Sequence, residues 1–174
     1  MSMFLAALVI GFTATLVMDL WSIFLKKFFE VIPPNWALVG RWVGHWRNGQ
    51  IFHHDINEAT PFLDEKLVGW VFHYFIGVAY ALGFVYVAGI DWLNSPTFSP
   101  VLFFSVASIC GGWFCLHPCM GFGWALAKTE NPAIGRLLGL LSHVAFGLGM
   151  WLGIVIFYLL HPDQTIVFSF PPLY

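Results

Sequence analysis

Four stretches of this chain, residues 3–25, 67–90, 101–127 and 134–160, are apolar over more than the roughly 20 residues a transmembrane helix requires. Inside hydrocarbon each backbone N–H and C=O must be satisfied within its own segment, so runs of this kind have to be helices. That restricts the chain to an all-α fold, an integral membrane four-helix bundle forming a single transmembrane domain over residues 1–174. Composition agrees: only 9% of the residues are charged, against about 25% in soluble domains. The first stretch differs from a signal peptide in lacking a basic leader and in carrying Asp19 within its apolar run, so it reads as a span.

The seven Lys and Arg residues set the orientation. Lys26, Lys27, Arg41, Arg47 and Lys66 fall between spans one and two; Lys128 and Arg136 fall between spans three and four. Basic loops stay in the cytoplasm, which puts both termini on the periplasmic side. Dispersed as they are, these residues form no basic stripe, so nucleic acid is not an expected partner; the lipid bilayer is. The cytoplasmic loop 26–66 contains Trp42 and Trp46 one helical turn apart, flanked by Arg41 and Arg47. This pattern fits a short interfacial helix or, equally, a segment folded against the bundle. The tail from His161, ending Pro171-Pro172-Leu173-Tyr174, reads as an extended segment at the interface.

Within the spans one pattern repeats. Gly69, His73, Gly77 and Gly83 recur 70 residues later as Gly139, His143, Gly147 and Gly153. The bundle is therefore expected to consist of two helical hairpins related as parallel repeats, with a site at their interface. Ionisable side chains are costly in hydrocarbon, so positions that hold them are candidate functional sites. Counted from the nearest basic residue, Asp19, His73, His117 and His143 all lie roughly 10 to 16 Å below the cytoplasmic edge, at 1.5 Å per residue. Asp19 shares a face with Gly11, Thr15 and Ser22, and its natural partner is a histidine. In span three, His117 and Cys115 project about 200° apart on a regular helix. Either His117 or the Cys115/Cys119 face points inward, and we place His117 inward because thiols are frequently small buried hydrophobes. Pro118 is expected to kink this span.

Two imidazoles on facing helices suit a b-type haem, with Gly77 and Gly147 clearing room for its ring. A ring of Asp19, His73, His117 and His143 suits instead a zinc, copper or iron ion. Either ligand implies redox chemistry or metal handling. The same residues also suit a proton- or ion-coupled transporter of a small substrate, which with four spans would act as a homo-oligomer. A structural or assembly protein without ligand is the third class. His53, His54 and Glu58 in the first loop have the composition of a metal site, although short clusters of this kind are usually solvated.

Met18-Asp19-Leu20-Trp21, Gly40-Arg41-Trp42, Gly69-Trp70 with His73-Tyr74, Pro118-Cys119-Met120-Gly121 and Ser142-His143 with Phe146-Gly147 together carry a resemblance. The chain resembles an uncharacterised family of small bacterial inner-membrane proteins, a domain of unknown function that covers nearly its whole length. The resemblance implies four spans in a bacterial plasma membrane and transfers no activity.

Overall fold

The structure, a computed structural model, describes residues 3–161. The expectation for the tail beyond His161 lies outside the described residues. Regular structure among the described residues is helical throughout: α1 (Met3–Phe29), α2 (Trp36–His45), α3 (Glu65–Asn94), α4 (Phe98–Cys119) and α5 (Pro132–Leu160). All but α2 are long and apolar enough to cross a bilayer, and their outward faces carry exposed Phe4, Phe12, Phe75, Leu137 and Leu148 as lipid contacts.

The bundle is organised around α1, which packs along both α3 and α5, while α4 packs on α5 and α2 on α3. Apolar side chains gain little by leaving lipid for protein, so close backbone approach has to drive these contacts. Small residues allow it. A Cβ on Gly11 would sit 2.5 Å from Cα of Val78, and Cβ atoms on Gly149 and Gly153 would lie 2.7 Å from Cα of Ala14 and Ile10. The two hairpins are α1 with α3 and α4 with α5, and α1 on α5 joins them.

Span three departs from the expected 101–127. α4 runs as α-helix from Phe98 to Ala107, then opens into a π turn over Gly112–Leu116 and ends at Cys119. Pro118 accounts for the wide turn, because its ring clashes with the carbonyl four residues back in a regular helix. The π turn instead pairs the His117 N–H with the Gly112 carbonyl, five residues back. Gly121 (φ 91°) and Gly123 (φ 74°) then take the chain into left-handed backbone and stop the helix before residue 127.

The first loop resolves the alternatives left open by the sequence: α2 is a helix, and it is folded against the bundle. Asn35 caps its N-terminus by accepting from the Ala37 N–H at 3.1 Å. Gly40 meets the Glu65 backbone, and Gly69 meets the Trp36 carbonyl, each closer than any Cβ could approach. Arg41 locks the contact. Its guanidinium donates to both Glu65 carboxylate oxygens at 2.9 Å and to the carbonyls of Ile56, Asn57 and Ala59 at 3.2 Å. This environment raises the Arg41 pKa, chiefly through the hydrogen bond to Glu65.

Candidate functional site

His73 is placed by the α1–α3 register. Thr15 lies against Gly77, where a Cβ would strike the Thr15 hydroxyl. The two helices of this hairpin run antiparallel, so one turn onward on α1 and one turn back on α3 bring Asp19 to His73. The imidazole Nε2–H donates to Asp19 Oδ1 at 3.0 Å, and the Tyr74 hydroxyl donates to Oδ2 at 2.9 Å. Both carboxylate oxygens are thus occupied inside the bundle, as an intramembrane acid requires. Trp36, delivered by the α2–α3 contact, stacks on the His73 ring at 3.8 Å and 24°.

His143 is placed in the equivalent way by the second hairpin, where Gly147 lies against Ser105 of α4. Its Nδ1 lies 2.9 Å from the Ser105 carbonyl and 3.0 Å from the Ser108 hydroxyl oxygen. A carbonyl only accepts, so Nδ1 carries the proton. The Ser108 hydroxyl in turn donates to the same carbonyl at 2.7 Å. Each imidazole therefore spends one N–H on the protein, leaving Nδ1 of His73 and Nε2 of His143 without a protein hydrogen bond.

Both histidines line one cavity of about 380 Å³. The two imidazoles reach it from different helices, α3 and α5. Trp36 and Trp42 of α2, Phe72 and Tyr80 of α3, and Phe146 of α5 make its walls largely aromatic. Gly111, Gly112 and Cys115 bring the π turn of α4 to the same space. A second cavity of about 510 Å³ lies outside it, lined by Asp19, Ser22, Lys26, Asn35, Lys66 and Trp70 among others. Trp36 borders both, and the Asp19–His73 pair bridges them.

Several expectations need correction. Gly77 and Gly147 serve helix contact: added Cβ atoms would meet Thr15 and Ser105. Gly77 borders the cavity, whereas Gly147 does not line it. In span three the two faces divide: Cys115 is exposed and lines the cavity, while His117 is more buried but does not line it. The π turn winds more slowly than an α-helix, which changes the direction of the residues that follow. The His117 Nδ1 is buried without a hydrogen-bond partner, its ring 6.5 Å from Phe122. Asp19, His73, His117 and His143 form no ring, and among the described residues no three His, Cys, Asp or Glu side chains converge as a metal site. Cys119 stays off the cavity lining and instead offers its carbonyl to the His53 N–H at 2.8 Å.

The loop cluster also separates: His54 and Glu58 are exposed while His53 is buried. The partner of His53 is His45, at 2.8 Å between His53 Nε2 and His45 Nδ1. His45 Nε2–H donates to the Thr60 carbonyl at 2.9 Å, so His45 Nδ1 accepts and His53 donates. Burial, and then the nearby His45, lower the His53 pKa. With Trp42 Nε1–H donating to the Ile51 carbonyl at 2.8 Å and Ile56 N–H to the Met120 carbonyl at 3.0 Å, these bonds fasten α2 and its loop beneath the cavity.

Sequence reasoning missed Trp36, Tyr74, Ser105, Ser108 and the role of His45. Tyr74 and the serines are ordinary residues in apolar helices until a register is known. Trp36 carried one usable signal, its position immediately after a helix cap.

No curated protein and no solved structure matches the chain. A family model described as a protein of unknown function, DUF2938, matches residues 8–157. With that match covering most of a chain built as four apolar spans, the protein belongs to the DUF2938 family.

Proposed function

We propose that this protein binds a ring-sized, mostly apolar molecule within a bacterial inner membrane, using His73 and His143 as the polar contacts of the inner cavity. The observation that carries this reading is the pairing of each histidine with an oxygen acceptor behind it, Asp19 for His73 and the Ser105 carbonyl for His143. Such pairing fixes the tautomer and aims the remaining nitrogen, and around a cavity of about 380 Å³ it supports ligand recognition at the size typical of small-molecule pockets. A merely structural histidine would have no need of a cavity at its free nitrogen. The test is native mass spectrometry of the full chain released from a mild detergent. A non-covalent organic mass is expected in the wild type and lost in His143→Phe. Wild-type protein that stays free of added mass after purification from lipid-rich membranes, and that does not take up small aromatic probes, refutes the reading.

A second reading rests on the same bare nitrogens. Histidines that ligate a metal nearly always donate their other N–H to a carboxylate or carbonyl, and two imidazoles suffice for haem, whose macrocycle supplies the other ligands. Visible absorption of the purified protein separates the readings: a Soret band favours haem, and an organic mass without one favours the apolar ligand.

A further inference from the structure

We infer that the inner cavity recognises a lipid-soluble dihydroxy-aromatic, a hydroquinone, in preference to its oxidised quinone form. The inference rests on the proposed ligand-binding role of the cavity and names the chemistry of the ligand.

It follows from a balance of donors and acceptors on the lining. The hydroxyl groups that border the cavity are already committed to protein carbonyls: Thr15 donates to Gly11 at 2.8 Å, Tyr80 to Ser108 at 3.2 Å and Ser108 to Ser105 at 2.7 Å. The Trp42 N–H is spent on Ile51 at 2.8 Å. Among the described lining residues this leaves the Trp36 indole N–H and the weak Cys115 thiol as donors. Against them stand Nδ1 of His73 and Nε2 of His143, each a strong acceptor in the neutral tautomer that donates its other N–H to Asp19 or the Ser105 carbonyl. A ligand that buries these nitrogens has to bring hydrogens to them, since a buried acceptor without a partner loses its hydration with no return. Quinone carbonyls bring none; the two hydroxyls of a hydroquinone bring one to each.

The shape and polarity of the cavity narrow the class further. The imidazoles come from two different helices, α3 and α5, and both line the cavity, so each is matched by its own hydroxyl on the ligand. Trp36, Phe72, Tyr80 and Phe146 offer aromatic faces and edges, which suit an aromatic ring in stacked or edge-on contact. A diamine of the same length would arrive as a cation, and the lining contains no carboxylate to neutralise it.

The experiment uses the full chain in detergent under anaerobic conditions, with tryptophan fluorescence quenching as the binding signal. Three probes share one ring system, methylated at carbons 2 and 3 so that the quinone does not add the free Cys115 thiol: 2,3-dimethyl-1,4-dihydroxynaphthalene, its 1,4-dimethoxy analogue and 2,3-dimethyl-1,4-naphthoquinone. The dihydroxy probe is expected to bind saturably and at least about 25-fold more tightly than either of the others, the lower bound of about fivefold for each of two unmatched buried acceptors. His143→Phe, which keeps an aromatic ring and removes one acceptor, is expected to lower the preference for the dihydroxy over the dimethoxy probe by at least about fivefold. Equal or tighter binding of the dimethoxy probe or the quinone to wild-type protein overturns the inference while leaving the apolar-ligand reading in place. Absence of saturable binding by all three overturns both. The wild-type comparison decides the matter even if His143→Phe fails to fold.

Discussion

Arg41 is the residue whose loss should most directly uncouple α2 from the cavity. Its side chain and that of Glu65 are only 12% and 16% exposed, and the pair is bidentate at 2.9 Å on both arms. Breaking a buried pair by removing one partner costs about 3–5 kcal/mol, mostly because the other charge is left uncompensated. The residual exposure and the longer 3.2 Å bonds to the loop carbonyls argue for the lower end, so Arg41→Gln should destabilise docking of α2 by about 3 kcal/mol. At 1.4 kcal/mol per factor of ten, the undocked population should rise about 100-fold. Amide hydrogen exchange of residues 36–45 in nanodiscs reads this directly, because local opening sets the exchange rate. Glu65→Gln in the same chain removes the orphaned charge and should recover about half of the loss. An exchange rate that changes less than threefold in Arg41→Gln, or a double variant as unprotected as the two single effects summed, would refute the assignment of Arg41 as the lock.

Three further outcomes are expected. Gly77→Ala drives a Cβ into the Thr15 hydroxyl and should lower thermal stability in detergent by about 1–3 kcal/mol, whereas Gly83, with nothing within 4 Å of an added Cβ, should gain about 0.5–1 kcal/mol on change to Ala; matching effects at both sites would contradict the glycine assignment. His53 is held neutral by burial and by His45, so its folded pKa lies below the ordinary 6.5; the unfolded loop binds the proton first as pH falls, and the stabilisation is full above 6.5 and lost on going down through the folded value. The protection factors of the loop at residues 46–60, exchange rates corrected for the intrinsic pH dependence, should therefore fall between pH 7.5 and 5, and a flat profile would count against the His45–His53 latch. Confinement of Lys and Arg to the segments 26–66 and 128–136 predicts that alkaline phosphatase fused within residues 129–132 is inactive and fused at the C-terminus is active; the reverse pattern would invert the topology.

Sequence alone determined the class of structure and the two histidines of interest. Apolar runs of this length admit one backbone solution in hydrocarbon, and an intramembrane Asp or His is expensive enough to mark its position as occupied for a reason. The spacing of Gly77 and Gly147 around those histidines was also legible, though not its meaning: a glycine in a helix reads the same whether it makes room for a neighbouring helix or for a ligand. Only the register of α1 on α3 decided that Thr15 fills the space beside Gly77 and that Asp19 lands on His73 with Tyr74 beside it. Likewise the direction of Cys115 and His117 depended on the π turn before Pro118, because one extra residue in a turn redirects every side chain after it. The free nitrogens facing the cavity were invisible for the same reason. A tautomer is set by the acceptor behind the ring, and Ser105 lies 38 residues from His143 in the chain, brought within 2.9 Å only by the packing of α4 on α5.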